Sequence, residues 1–204
     1  MGDRNGPSAV HDPPFSEPES YSATVIQTFE EGGRREAIET RMARSGPLFR
    51  EEWQEAGELR AAIWRPDLGK VFLLSVGRRL YVETGIDSGP ALGASTEDAG
   101  SAGRPLSFSS AAPDAIETRL APDSLIDGHS CNVVEVRASF ADGRVELTRT
   151  YRATGFGGLP LRIESETLHT SSPCKVLIER KNVETSVAET DFEIPRDYRK
   201  VASL

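Results

Sequence analysis

The sequence of 204 residues has no long apolar stretch, and its basic residues are outnumbered by its acidic ones. The longest apolar run, VFLLSV at 71–76, is far shorter than the roughly 20 residues that a membrane-spanning helix requires. There are 24 Lys and Arg residues against 32 Asp and Glu residues, which gives a net charge of -8. An acidic chain does not attract phosphate backbones. We therefore expect neither a transmembrane segment nor nucleic-acid binding.

Residues typical of catalytic and metal sites are also scarce. The three histidines, His11, His129 and His169, do not have the spacing of metal ligands, and no serine lies in a nucleophile-elbow context. Carboxylate pairs such as Glu51 and Glu52 occur in alternating segments, where they usually form a solvated face. The sequence predicts no catalytic residue, no metal ligand and no cofactor, and it indicates a protein that is not an enzyme.

Helical periodicity is nearly absent, whereas alternation of apolar and polar residues is frequent in the first half. Three pairs of strand-like runs lie at 21–46, 48–67 and 70–85, separated by turn residues. The turns are Gly32 with Gly33, residues 56–58, and Gly77 with Arg78. Glycine between two such runs is typical of a hairpin. We expect about six strands by residue 85.

The second half resumes this pattern after residue 130. Four further strands are predicted at 131–140, 144–154, 159–168 and 174–187, with Asp142 and Gly143 as the clearest turn. The segment LPLRIESETL alternates, which places Leu159, Leu161 and Ile163 on one face. About ten antiparallel strands are expected in total, and a sheet of this size must curl.

One short helix is predicted, within PDAIETRLAPDSL. Pro113 suits the first helical turn, Pro122 would end the helix, and Ile116 and Leu120 lie four positions apart on one face. We expect this helix to lie on the sheet.

Two segments contain few residues that could pack. The first 19 residues have no apolar core of a signal peptide and are rich in Gly, Pro and Ser, so we expect a disordered tether at 1–19. The tract at 85–110 is dense in Gly, Ala and Ser, which is typical of a flexible loop. Residues 20–204 are expected to form a single domain.

The last residues, DFEIPRDYRKV, resemble a segment that packs on the domain. Phe192 and Ile194 would complete an apolar edge, and Pro195 would end strand pairing because it has no amide proton. Tyr198 and Val201 would pack on the sheet. We interpret this segment as structural, because buried aromatic residues usually contribute packing energy.

The two cysteines are predicted to be unbridged. In a simple meander, Cys131 begins the first of the last four strands and Cys174 begins the fourth, at opposite ends of the sheet. A strand of ten residues is about 33 Å long, whereas a disulfide requires Cα atoms within about 7 Å.

The segments YSATVIQTFEEGG, RRLYVETG, DGHSCNVVEVR, GLPLRIE and FEIPRDYRKV resemble, in order, the outer-membrane lipoprotein-sorting (LolA-like) superfamily over roughly residues 20–201. The resemblance implies a mainly β fold: a curved antiparallel sheet that forms a half-open β-barrel, with one or a few short helices as a lid. It also implies a non-catalytic binding protein of the periplasm or cell envelope, whose signal peptide has been removed. The partner would be a lipid or another hydrophobic small molecule, or a lipoprotein or other envelope protein. The alternative is a sensor or interaction domain that docks a protein on the curved sheet.

Seven apolar residues from consecutive predicted strands could line the concave face of such a half-barrel. They are Trp53, Ile63, Trp64, Phe72, Leu74, Leu80 and Val82. The alternative is that they form the core under the predicted helix, because period two does not say which face of a strand turns inward when both faces are apolar.

Overall fold

The computed structural model of the chain describes residues 18–86, 112–171 and 173–204, and they form a single large β-sheet. Its strands are β1 (Ser20–Glu31), β2 (Arg34–Ser45), β3 (Leu48–Glu55), β4 (Glu58–Arg65), β5 (Lys70–Ser75), β6 (Leu80–Gly85), β7 (Ala115–Ile126), β8 (His129–Ser139), β9 (Val145–Ala153), β10 (Leu159–Leu168), β11 (Cys174–Glu184) and β12 (Arg199–Lys200). The described ranges also contain 3-10 turns at Pro66–Leu68, Thr154–Phe156 and Glu189–Phe192. None of these turns is long and apolar enough to cross a membrane.

The strand order is β12-β6-β5-β4-β3-β2-β1-β11-β10-β9-β8-β7. Two antiparallel meanders, β1–β6 and β7–β11, are therefore joined where β1 pairs with β11. The short β12 pairs in parallel with the edge of β6. Among the described residues the sheet does not close, since β12 and β7 lie at its two edges. The mainly antiparallel fold predicted from the alternation is confirmed.

The first meander confirms the predicted hairpins. Gly32 and Gly33 have φ angles of 56° and 79°, and Ala56 and Gly57 have φ angles of 50° and 80°. Two consecutive residues with positive φ form the tight turn that matches the twist of adjacent antiparallel strands. Glycine adopts this conformation without steric cost, which explains why these turns could be recognised in the sequence.

The predicted helix is wrong, because its residues belong to strand β7. Ile116, Thr118 and Leu120 also have a period of two, and they lie opposite Ala138, Val136 and Val134 of β8. Pairing along a whole neighbouring strand satisfies more backbone groups than one isolated helical turn can. Pro122 ends no helix; it falls within the register shift of β7 between Ala121 and Ser124, where proline is tolerated.

The second meander confirms the expected order of β8, β9, β10 and β11. Cys131 is buried, Cys174 is half-buried, and neither forms a disulfide. The predicted alternation in β10 holds only in part, because its register shifts between Pro160 and Arg162. Leu159 pairs with Ala153 before this shift, whereas Ile163 pairs with Thr150 after it. The extra residue of the bulge interrupts the strict alternation, although Leu159 and Leu161 pack in one cluster with Ile178, which lies opposite Ile163.

The C-terminal segment packs on the sheet, as its sequence predicts. Phe192 is 1% exposed, and Ile194 and Tyr198 pack against the same core cluster. Arg50 donates a hydrogen bond to the backbone oxygen of Asp191 at 2.9 Å. The amide of Val201 donates to the backbone oxygen of Tyr81 at 2.9 Å, so the end of the chain also extends the sheet. A parallel strand at this position was not predicted.

Two predicted segments fall largely outside the described residues. They are residues 1–17 of the predicted tether and residues 87–110 of the predicted loop.

Candidate ligand-binding face

The register of β2 to β6 determines which side chains share a face. Pairing runs without a shift through these five strands, and directly opposite residues in an antiparallel pair point to the same side. Ile63 lies opposite Phe72, whereas its neighbour Trp64 lies opposite Val71. The seven apolar residues singled out in the sequence are consequently divided between the two faces.

Three of the seven lie on the face that the C-terminal segment covers. Ile63 and Leu74 are fully buried and Phe72 is 7% exposed, and all three belong to a cluster with Phe192. The ring of Phe72 also meets the edge of Tyr81, with 6.2 Å between centroids. These side chains are core residues in this structure.

The other four lie on the opposite face, which we call the open apolar face. Trp53, Trp64, Leu80 and Val82 are half-buried. Phe49 stacks at a tilt on Trp64, with 5.1 Å between ring centroids, and Leu73 pairs with Val82. The open apolar face therefore comprises six large side chains that all keep part of their surface in solvent: Phe49, Trp53, Trp64, Leu73, Leu80 and Val82.

A continuous row of paired side chains runs across the middle of this face. Its members, in order from β1 to β6, are Ala23, Met42, Glu51, Ala62, Leu73 and Val82. With about 4.8 Å between strands, the row is about 24 Å long. All its members except Glu51 are apolar, so the row forms a narrow apolar band that a single carboxyl group interrupts.

Glu51 lies between Phe49 and Trp53 on its own strand. Burial raises the pKa of its carboxyl group from 4.5 to about 7, because an apolar environment disfavours the charged form. The charged residues nearest in register are Arg44, opposite Phe49, and Arg60, opposite Trp53. The shift in the pKa of Glu51 is caused by its burial and not by either of these guanidinium groups.

Glu51 was not predicted as a site residue, because Glu51 and Glu52 side by side in the sequence indicate a solvated pair. Their neighbours separate them: Glu52 accepts a hydrogen bond of 2.9 Å from Arg50 on the covered face, whereas Glu51 is on the open apolar face. The alternation of Phe49, Glu51 and Trp53 was a signal that could have revealed this placement.

A polar border lies at one end of the open apolar face. The guanidinium group of Arg60 forms salt bridges with Glu58 at 3.0 Å and with Glu55 at 3.4 Å. Glu58 also accepts hydrogen bonds from the Ser75 hydroxyl and, at 2.9 Å, from Arg78 Nε. The Ser75 hydrogen bond, together with the charges of Arg78 and Arg60, lowers the pKa of Glu58. This border is charged at neutral pH.

Two open cavities lie elsewhere, on the second meander and the adjoining hairpin. One has a volume of about 360 Å³ and is lined by Thr28, Glu30, Arg35, Leu147, Arg149, Glu164, Ser165, Glu166, Lys175, Val176 and Leu177. The other, of about 330 Å³, is lined by Glu117, Thr118, Arg119, Glu135, Arg137, Val145, Leu147, Arg149 and Leu168. Neither cavity includes a residue of the seven predicted from the sequence.

The charged side chains of these cavities are largely paired with one another. Glu135 binds both Arg149, at 2.8 Å, and Arg119, and Lys175 lies 2.8 Å from Glu166. Charges that neutralise one another offer little attraction to a charged ligand. In the part of the chain that the structure describes, no three His, Cys, Asp or Glu residues are grouped to hold a metal ion. We therefore place the candidate site on the open apolar face.

Comparison with known proteins gives matches in structure but not in sequence. No protein-family model matches the chain, and no curated protein matches it. A LolA superfamily protein from Nitrosomonas europaea is 12% identical, with a TM-score of 0.45 over 89% of this chain and 92% of that one. The lipoprotein LppX from Mycobacterium tuberculosis is 11% identical, with a TM-score of 0.42 over 82% of this chain and 88% of that one.

A third match is MucB, which is 16% identical and has a TM-score of 0.41 over 90% of this chain and 60% of its own. MucB has also been solved in complex with MucA(peri). In structure, this chain is similar to proteins of the LolA superfamily along most of its length.

Proposed function

We propose that this chain is a non-catalytic binding protein that holds an acyl chain of a lipid along the open apolar face. The observation that carries the proposal is the set of half-buried apolar side chains on the open apolar face, to which β3, β4, β5 and β6 all contribute. Contiguous apolar surface of this kind usually marks a binding site. A location in the periplasm or cell envelope, and a sheet curved into a half-barrel, are what the sequence resemblance implies for such a protein.

The shape of the band favours an elongated ligand. Its central row is about 24 Å long, and it is flanked by apolar side chains as well as by Arg44 and Arg60. An extended hydrocarbon chain can lie along such a row and displace water from Leu73 and Val82, whereas Met42 is already buried. Each side chain that passes from partial to full burial stabilises the complex by roughly 25 cal/mol per Å² of apolar surface removed from water.

A second candidate is the docking of a protein partner on the same face. The specific observation in its favour is that both tryptophans of the sequence, Trp53 and Trp64, lie there, beside the charged border around Arg60. Aromatic residues inside a polar rim are typical of protein interfaces.

The two tryptophans also provide the test, since the intrinsic tryptophan fluorescence of the protein comes only from this face. Titration with a long-chain fatty acid that carries bromine on its acyl chain should quench this fluorescence in a saturable way. The unbrominated acid should compete with it. Leu73→Lys, which places a charge within the band, should weaken binding at least about tenfold. Leu125→Lys on β7 is the matched control, and it should bind as the wild type does.

Failure of the brominated acid to quench at any concentration would contradict lipid binding. Mass spectrometry of lipids extracted from the purified protein provides an independent measurement, and acyl-chain lipids at near-stoichiometric amounts are expected.

A further inference from the structure

Strand β7 is an edge strand that exposes large apolar side chains. Among the described residues, β7 pairs only with β8, so the backbone groups on its other side have no partner strand. Ile116 is 63% exposed and Leu120 is 71% exposed. A long edge strand with exposed apolar residues is a template for pairing with another strand.

The sequence of β7 is self-complementary in the antiparallel sense about Thr118. If two copies pair with Thr118 opposite Thr118, Glu117 of each copy faces Arg119 of the other, and Ile116 faces Leu120. Opposite charges and apolar pairs directly across an antiparallel ladder are both stabilising. The same strand therefore supplies both halves of a matched interface.

The paired side chains of β7 keep most of their surface exposed in the single copy. Ile116 and Leu120 lie on one face of β7, opposite Ala138 and Val134, and remain largely exposed. On the other face, Arg119 binds the buried Glu135, yet its side chain is 73% exposed. Glu117 has no salt bridge within the described residues.

We propose that two copies of this chain form a two-fold symmetric dimer by antiparallel pairing of β7 with β7, centred on Thr118. A two-fold axis requires a surface that is complementary to itself, and residues 115–121 meet this requirement. Pro122 lies opposite Asp114 in this register and ends the ladder, because proline has no amide proton to donate. The dimer joins two sheets into one continuous sheet.

The first test is the oligomeric state of the full chain in sedimentation velocity across a range of concentrations. The wild type should be a dimer. Leu120→Lys buries a charged ammonium group against Ile116 in each of the two symmetry-related contacts and should raise the dimer dissociation constant at least about 100-fold. Leu125→Lys is the matched control: Leu125 is 70% exposed on the same strand but outside the paired residues, so this variant should stay dimeric. A wild type that is monomeric at all concentrations would overturn the proposal.

The second test concerns the register. Thr118→Cys should form an intermolecular disulfide on mild oxidation, because opposite Cα atoms in an antiparallel pair are about 4.5 to 5.5 Å apart. Ser124→Cys should not. Glu117→Arg should weaken the dimer, because it places an arginine opposite Arg119 of the other copy. A dimer that neither Thr118→Cys links nor Leu120→Lys weakens would show that the interface lies elsewhere.

Discussion

The carboxyl group of Glu51 makes the stability of the fold depend on pH in a predictable direction. Its pKa is about 7 in the folded protein, against an ordinary value of 4.5, so the folded state holds the proton more tightly than the unfolded chain does. Between pH 4.5 and about 7 the unfolded chain has released a proton that the folded protein keeps. The free energy of unfolding therefore falls as pH rises through this window, and the loss is complete above it.

The full difference in pKa corresponds to about 3 kcal/mol. Because Glu51 is only half-buried, solvent screening reduces the effect, and we expect about 1 to 3 kcal/mol. Glu51→Gln keeps the shape of the side chain and removes the charge. This variant should match the wild type at pH 4.5 within about 0.5 kcal/mol and should be more stable by about 1 to 3 kcal/mol at pH 8.5.

Urea denaturation at the two pH values, with equal m-values for both proteins, measures this difference. Glu39→Gln is the matched control for the loss of one negative charge, since Glu39 is exposed on the neighbouring strand β2. If Glu51→Gln changed stability equally at pH 4.5 and pH 8.5, or destabilised the protein at pH 8.5, desolvation of Glu51 would be refuted.

The affinity for the acyl chain should also decrease as the pH rises. An acyl chain on the band removes further water from Glu51 and so binds better when the carboxyl is neutral. We expect the affinity for the fatty acid, measured by tryptophan quenching, to fall as pH rises from 6 to 8.5 in the wild type and to remain flatter in Glu51→Gln. An unchanged slope in the variant would mean that Glu51 does not contact the bound chain.

Further predictions concern packing and the cysteines. Phe192→Ala should cost about 3 to 5 kcal/mol of unfolding free energy, because Phe192 is 1% exposed where the C-terminal segment packs on the sheet. Leu161→Ala should cost about 2 to 5 kcal/mol and Ile163→Ala less, because Leu161 is 2% exposed whereas Ile163 is half-buried; denaturation curves that rank them in reverse would contradict this register. Mass analysis after alkylation under native conditions should label Cys174 before Cys131, and alkylation of the unreduced, unfolded chain should label both.

Much of the strand pattern was predictable because its determinants are local. Alternating side chains and glycine turns predict β1 to β6, and the turn at Asp142 and Gly143 predicts the hairpin of β8 and β9. The docking of the C-terminal segment was also predictable, because burying the large aromatic side chains of Phe192 and Tyr198 is more favourable than leaving them in water.

The identity of β7 could not be read locally. Ile116 and Leu120 fit both a helix of period 3.6 and a strand of period two, and only the presence of β8 as a pairing partner decides between them. Which face of β5 is covered was also ambiguous in the sequence, because Phe72 and Leu73 are both apolar. The C-terminal segment, which covers Phe72 but not Leu73, is far away in the sequence. The bulge beyond Leu159 likewise depends on neighbouring strands.

The pairing of β1 with β11 has a consequence for how the chain folds. Each meander is built from neighbouring hairpins, and each hairpin can form from residues that are close in sequence. The seam, by which we mean the pairing of β1 with β11, joins the first strand to one that is completed only near the end of the chain. Pairing between distant segments forms slowly, because a large loop must close first. During synthesis β1 therefore remains without its second neighbour until β11 has been made, and the C-terminal segment can pack only after that. We expect the seam to limit the folding rate and to be the place where a chaperone protects the growing chain.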